Sequence, residues 1–414
     1  MKFVKIGLCL FFSIIMVVLG VRFEKPLNHW NDVFIKGEVK EPFSNLHLNH
    51  YDAEVEVWDI FDKLSSKEDD KIFKGGPIVG AEVNSDIVRV AFNSGLIMRI
   101  GRDGSLINSN DISMLLNNFV LFKKNGGIRT VLWLMQDILF VYYTAQSKSG
   151  DEYELRIALI NSEQKVIYDE VVLGQFKEEE HFALGGGAVF DERKSKVFIA
   201  IGVATGTDDM LAGSKAQNDA EFFGKTISVE VVGNSQLDPS GLKFSKPTIV
   251  SKGHRNPQGM TIFNGDLLSV EHGPRGGDEL NLIKKNGNYG WNNFSYGNKY
   301  GQPDSDYDNW SKDFVEPNFY FTPSIGISDI YPCPSTFLLP GYNNCVLISS
   351  MVGTSFYVAK FFKGASFVQS IERVDLGERI RKIRSFDDEV FLFTDCITRK
   401  CKQKIVKIRY SEVR

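Results

Sequence analysis

Short apolar runs separated by polar turns recur along most of the chain. Ile87–Phe92 and Leu96–Ile100 flank NSG, and the turn GRDG follows them. Thr130–Leu134 and Ile138–Tyr143 flank MQD, and Ala188–Phe190 and Val197–Ile201 flank DERKSK. Met260–Phe263 and Leu267–Val270 flank NGD, Ile380–Phe386 and Val390–Thr394 flank DDE, and Lys404–Arg409 closes the chain. Runs of this length, bounded by Gly, Asn and Asp, read as strands joined by tight turns. Paired short strands at intervals of several dozen residues, with no amphipathic helix between them, predict a β-propeller whose blades are four-stranded meanders. No strict repeat is present, so the runs do not count the blades. In such a ring, loops from different blades meet at one mouth of the central channel, and residues far apart in sequence can form one site.

Composition supports a single all-β body. The length of 414 residues, 43% of them apolar, would permit two or three domains, but 37 glycines, 32 phenylalanines and short alternating runs favour one strand-rich domain over residues 71–414. Residues 22–70 are mixed and polar, and read as a tether and edge structure. Within them HLNH places two histidines three apart, with no further ligand cluster nearby, which reads as a surface loop. Residues 1–21 carry Lys2 and Lys5 ahead of an apolar stretch from Ile6 to Val21, the layout of a signal peptide or an uncleaved signal anchor. Either form sends the bulk of the chain out of the cytoplasm, to the periplasm or beyond, with membrane attachment only if the leader is retained. A formal net charge of -4 without a long Lys/Arg block disfavours nucleic acid as a partner. Beyond Cys9 there are four cysteines, and in an oxidising compartment their spacing suggests Cys333 with Cys345 and Cys396 with Cys401, among three formal pairings.

The richest chemistry lies in GHRNPQGMTIFNGDLLSVEHGPRGGDELNLIKKNGNYGW, from Gly253 to Trp291. Its RNPQG, EHGPRGGDE and NYGW segments resemble those of the glucose/sorbosone dehydrogenase family of quinoproteins, and weaker similarity runs from about Gly80 to Arg409. The resemblance implies a six-bladed propeller that oxidises a sugar with pyrroloquinoline quinone (PQQ) and calcium and passes electrons to an external acceptor. PQQ is a flat tricarboxylate, for which planar guanidinium forks are suited partners. The family implies Arg255 and Asn256 as cofactor contacts, and GERIRKI supplies Arg379 and Arg381, two apart and so on one face of a strand. FTPSIGISD adds Ser324, and Tyr300 keeps the family spacing, eleven residues beyond Tyr289. Calcium wants oxygen donors, which a glycine turn presents as carbonyls. Gly273 and Pro274 are implied as its holders with Asp278 close by, and Glu279 and Tyr289 mark a second, structural calcium. The implied general base is His181, in EEEHFALGGGAVF, resembling the family segment HFGGRLVF.

Several positions depart from the pattern. Two extra residues separate His181 from the next strand, and Gly187 replaces an arginine. NGGIRT resembles QGGLLG, with Asn125 for the cofactor-contacting glutamine. Met351, in SSMVG, stands where glucose dehydrogenases place a cofactor-binding lysine. The leading expectation is oxidation of an aldose at its anomeric carbon to a lactone. The alternative is a propeller that keeps the scaffold as a binding module without quinone chemistry, as in the Hedgehog-interacting proteins that resemble this family. A calcium-dependent lactonase would not need the arginine pair.

Overall fold

The paired runs form antiparallel hairpins, and the hairpins join into six blades. The structure, a computed structural model, describes residues 51–60, 76–121, 126–135, 138–163, 165–205, 214–233, 241–298, 307–308, 310–334, 344–361, 367–396 and 403–412. The leader, the HLNH segment, Asn125, Tyr300 and Cys401 lie outside the described residues. Helical structure among those described is confined to short turns, and no helix is long and apolar enough to cross a membrane.

Blade 1 runs Ile78–Val83, Ile87–Phe92, Leu96–Gly101 and Leu106–Asp111 from the inside outward, and blade 2 runs Ile128–Met135, Ile138–Gln146, Tyr153–Asn161 and Val166–Phe176. Blade 3 is Gly185–Asp191, Lys196–Ile201, Lys225–Val232 and Thr248–Lys252, extended by the short strands Lys243–Phe244 and Gly287–Asn288. Blade 4 is Pro257–Phe263, Asp266–Glu271, Asp278–Leu282 and Phe319–Phe321, and blade 5 is Ile327–Pro332, Asn344–Ser350, Ser355–Phe361 and Val368–Asp375. Blade 6 takes Ile380–Phe386, Glu389–Thr394 and Lys404–Glu412 from the end of the chain and Tyr51–Asp59 from its beginning, paired from Tyr51 with Glu412 to Asp59 with Lys404. Each innermost strand touches those of its two neighbours, the sixth touching the first, so the ring is closed.

The middle strands are apolar on both faces because each face meets a different blade. Side chains alternate across a strand. Phe140 and Tyr142 pack into the cluster between blades 2 and 3, whereas Leu139, Val141 and Tyr143 pack into the one between blades 1 and 2. In blade 5, Leu347 faces blade 6 while Val346 and Ile348 face blade 4. A cluster of buried apolar side chains fills each of the six interfaces.

All six innermost strands carry a register shift just after their first residue, which leaves Val79, Arg129, Gly186, Gln258, Ser328 and Arg381 opposite no single partner. Such bulges bend a strand and re-aim the extra side chain. Immediately after the bulge in blade 4, a Cβ on Gly259 would lie 2.7 Å from the Cα of Asp329 in blade 5, so glycine there permits the close approach of the two inner strands. In blade 5, Cys333 and Cys345 form a disulfide across the first hairpin. Cys396 is disulfide-bonded as well.

Candidate active site at one rim of the ring

In an antiparallel meander the start of the first strand, the turn from the second to the third and the connection from the preceding blade lie at one end. The described site residues expected from the sequence fall in those segments except Tyr289, which lies in the connection from the third to the fourth strand of blade 4 and joins them through its N–H to the Lys252 carbonyl and its ring on His254. The family-like segments meet there through a run of hydrogen bonds across neighbouring blades.

The RNPQG segment is held from beneath by buried Glu271, whose Oε2 accepts the Arg255 N–H at 2.8 Å and whose Oε1 lies 2.8 Å from His254 Nδ1. His254 is wholly buried, lies 2.8 Å from Ser251 Oγ through Nε2, and stacks on Tyr289 with ring centroids 4.6 Å apart. These contacts make it a pillar beneath the loop. The Arg255 guanidinium lies over Trp291 and donates to the Gly273 carbonyl at 2.9 Å. Asn256 Oδ1 accepts the Gly185 N–H at 3.2 Å and Gln258 Nε2 at 2.9 Å, which ties blade 4 to the start of blade 3.

The HGPRGGD turn is built around Asp278. Its Oδ1 accepts Gly273 N–H at 3.1 Å, and its Oδ2 accepts Ile325 N–H at 3.0 Å and Ile327 N–H at 3.1 Å. Burial would raise this carboxyl, but His272, 3.8 Å away, and the Ile327 N–H outweigh it and hold it below the usual range. Asp278 therefore shapes the turn with both oxygens. Gly273 is required because a Cβ there would sit 2.2 Å from the Gly276 carbonyl oxygen and 2.3 Å from that of Gly277. Ser324 Oγ accepts the Gly276 N–H at 3.1 Å. Below the turn, a cavity of about 10 Å³, room for about one water or small ion, is lined by Arg255, Glu271, His272, Gly273, Glu279 and Trp291 among others. Burial, then the nearby Glu271 and Asp278, push Glu279 up to about 8, although Asn281 Nδ2 donates to it at 3.0 Å. The Tyr289 hydroxyl donates to the Leu282 carbonyl and accepts Lys284 N–H, so its phenol braces the NYGW segment.

Arg379 precedes the first strand of blade 6 and Arg381 is its bulged residue, yet both reach Asp395 Oδ2, at 3.4 and 2.9 Å. Arg379 also donates to the Met351 carbonyl at 3.3 Å. Met351 N–H in turn bonds the Gly326 carbonyl at 2.9 Å, beside the Ser324 segment. The Nε atoms of Arg379 and Arg381 are buried with no hydrogen-bond partner among the described residues.

His181 caps the short turn Glu178–Glu180 in the connection from blade 2 to blade 3. Its Nδ1 lies 2.8 Å from the Glu178 carbonyl, which can only accept, so Nδ1 carries the proton and Nε2 the lone pair of the neutral ring. The Phe182 ring packs against the imidazole at a tilt of 36°, with centroids 4.1 Å apart. The segment pairs with the loop after Ile201, where Ala204 N–H bonds the Ala183 carbonyl and Val203 N–H bonds that of Arg255. His181 and the RNPQG segment thus share one hydrogen-bonded frame.

Sequence reading missed Glu271, Asp395 and Arg129. The two carboxylates act through partners distant in sequence, and Arg129 sits inside an apolar run whose bulge leaves no compositional mark. Among the described residues no three His, Cys, Asp or Glu side chains converge on one metal position.

The chain is similar to several known proteins. The 73 residues aligned with quinoprotein glucose dehydrogenase B of Acinetobacter calcoaceticus are 42% identical, and make up 17% of this chain and 15% of that protein. Aldose sugar dehydrogenase YliI of Escherichia coli (strain K12) is 38% identical over 124 residues, 29% of this chain and 31% of its own. Each matched stretch spans less than a third of the relative. Among solved structures, the soluble aldose sugar dehydrogenase from Escherichia coli in its apo-form superposes with a TM-score of 0.65 at 20% identity, over 87% of this chain and all of that one, which shows a shared fold. The Glucose / Sorbosone dehydrogenase profile matches residues 86–403, from the first blade to the last, and the chain belongs to that family.

Proposed function

We propose that the rim binds PQQ with calcium and that the protein oxidises an aldose at its anomeric carbon to a lactone, handing electrons to an external acceptor. The observation that carries this reading is the convergence of Arg255, Asn256, Arg379 and Arg381 with His181 on one rim. The residues fit a flat polycarboxylate. A buried donor left unpaired costs about 1–3 kcal/mol, and the partnerless Nε atoms of Arg379 and Arg381 are two such donors, which a ligand carboxylate would satisfy. Asn125 and Tyr300 are further candidates for contacting it, and Ser324 supports the turn beside it. Calcium fits as well. The Gly273–Pro274 turn supplies neutral carbonyls with Asp278 ordering them, and crowded Glu279 sits beside Tyr289, whose backbone carbonyl is the donor it has to offer.

When bound, PQQ would supply a hydride acceptor for the anomeric carbon, and calcium held at the Gly273–Pro274 turn would supply Lewis acidity. His181 Nε2 takes the proton of the anomeric hydroxyl as that carbon loses hydride. The Glu178 carbonyl and the Phe182 ring fix the imidazole plane. Arg255, Arg379 and Arg381 hold carboxylates, and Asp395 keeps the last two from splaying apart. Export fits the Cys333–Cys345 disulfide, which persists in oxidising compartments.

Purified protein mixed with PQQ and calcium should reduce a dye in the presence of at least one aldose. His181→Ala should lower turnover by about 100-fold or more, the range for losing a general base, while leaving quinone binding intact. Quinone binding without turnover on any aldose would sink the catalytic reading and leave a binding module.

A further inference from the structure

Between the second and third strands of blade 3, residues 214–217 form a single helical turn that lies outside every family-like segment. Three successive residues of it reach three different parts of the rim. Lys215 Nζ donates to Glu180 Oε1 at 2.6 Å and to the Ala204 carbonyl at 3.2 Å. The Ala216 carbonyl accepts the Gly253 N–H at 3.2 Å, just ahead of the RNPQG segment. Gln217 Nε2 donates to the Trp291 carbonyl at 2.6 Å and to Asn288 Oδ1 at 3.1 Å, in the NYGW segment. The turn is itself anchored, because the Lys215 carbonyl accepts buried Lys225 Nζ at 2.8 Å. The two acceptors of Lys215 Nζ flank His181. Glu180 directly precedes it, and Ala204 N–H bonds the carbonyl of Ala183, two residues after it. Glu180 is tied to its own turn as well, since its Oε2 accepts the Lys177 N–H at 2.9 Å. Burial would raise this carboxyl, but that N–H and the Lys215 ammonium outweigh it and hold it below the usual range, so the pair is ionic at neutral pH. The Lys215 and Glu180 side chains are only 20% and 28% exposed, and the ammonium lies over the Phe223 ring, 5.1 Å from its centroid. Such a pair is better shielded and more closely fixed than an exposed one.

We propose that Lys215 is a positioning residue, which sets where the His181 imidazole stands relative to the RNPQG and NYGW wall, with residues 214–217 as the link between the two. This inference rests on the reading of His181 as the general base. Lys215 acts through Glu180, whose turn presents the Glu178 carbonyl to His181 Nδ1. Its loss should cost turnover and spare cofactor affinity, because Ala216 and Gln217 continue to hold the wall.

The test compares the full chain as wild type, Lys215→Met, Lys215→Arg, His181→Ala and the His181→Ala/Lys215→Met double variant. One readout is dye reduction with PQQ, calcium and an aldose that wild type oxidises, and the other is amide hydrogen exchange over residues 178–182 without any cofactor. Met keeps the apolar stem over Phe223 and removes the ammonium. The expected result for Lys215→Met is a kcat lowered about ten- to a hundredfold, the scale of a reacting group displaced by about 1 Å. Its Kd for PQQ and its unliganded Tm should stay close to wild type while residues 178–182 exchange faster, and Lys215→Arg should recover most of both losses. Added to His181→Ala, Lys215→Met should cost nothing more, since residues that act as one unit are not additive. A wild-type kcat in Lys215→Met, or a full further loss on top of His181→Ala, would overturn the inference and leave Lys215 as a brace of the fold. Should Lys215→Met fail to fold, Glu180→Gln removes the same ion pair from the other side, keeps an acceptor for the Lys177 N–H and is held to the same outcomes. If wild type oxidises no aldose, the reading of His181 falls and this role with it, a result distinct from a variant that turns over as wild type does.

Discussion

Asp278 touches three backbone N–H groups, Gly273 in its own turn, Ile325 just ahead of blade 5 and Ile327 at the start of its first strand. Each donor orphaned by its removal costs about 1–3 kcal/mol. Asp278→Ala is therefore expected to lower stability by several kcal/mol in denaturant titrations and to abolish any calcium-dependent rise in Tm. Lys225 has a different task. It is fully buried, and its Nζ donates to the carbonyls of Lys215 and Phe223, both at 2.8 Å. Burial lowers it to about 8, partly opposed by Asp219 and Glu221. A lysine lowered in the fold releases its proton at lower pH there than in the unfolded chain, so stability rises with pH between about 8 and the unfolded value near 10.5. Below about 8 its contribution is flat. The difference in unfolding free energy between wild type and Lys225→Met should rise with pH across that window, and a difference that stays constant would count against this assignment.

At the scale of strands, Ile87–Phe92 and Ile380–Phe386 stand where the apolar runs put them, because Val88, Val90 and Phe92 pack between blades 6 and 1, Ala91 packs between blades 1 and 2, and Ile380 and Ile383 pack between blades 5 and 6. The inner strands of blades 2, 3 and 4 begin earlier than the runs suggest, at Ile128, Gly185 and Pro257 in place of Thr130, Ala188 and Met260. The bulges at Arg129, Gly186 and Gln258 lie in those added residues. A bulge breaks the alternation from which strands are read. Outer strands such as Leu106–Asp111, LINSND, were illegible for another reason, since that edge is largely solvent-facing and carries polar residues. The site followed the same division. The residues nominated for the candidate site lie in contiguous family-like segments that a sequence displays, whereas Glu271, Asp395 and Arg129 are defined by contacts between distant segments. Phe140 is wholly buried in the cluster between blades 2 and 3, beside Phe244 at 6.1 Å. Phe140→Ala should cost about 3–5 kcal/mol, the usual range for a phenylalanine deleted from a packed core. A loss under about 1 kcal/mol would contradict packing of the ring by these interfaces.

For the whole molecule, closure depends on a strand from near the beginning of the chain pairing with its end. Tyr51–Asp59 covers the outer edge of Lys404–Glu412 and brings Trp58 against Phe391, with ring centroids 6.1 Å apart. Trp58→Ala should therefore lower Tm and, because Trp58 is on the outermost strand of blade 6 and packs into the apolar cluster between blades 6 and 1, should leave quinone affinity per folded molecule unchanged. Closure also creates the site, since His181, the RNPQG segment and the Arg379 and Arg381 pair come together only when blades 2, 4 and 6 surround one channel. The most direct measurement is a PQQ titration of the purified chain with calcium and with chelator, alongside an Arg379→Ala/Arg381→Ala variant that retains the wild-type fold. The account predicts saturable, calcium-strengthened binding by wild type and a loss of at least about 100-fold in the variant, two charge-assisted contacts at about tenfold each. Binding equally tight in both, or none by wild type, would contradict it.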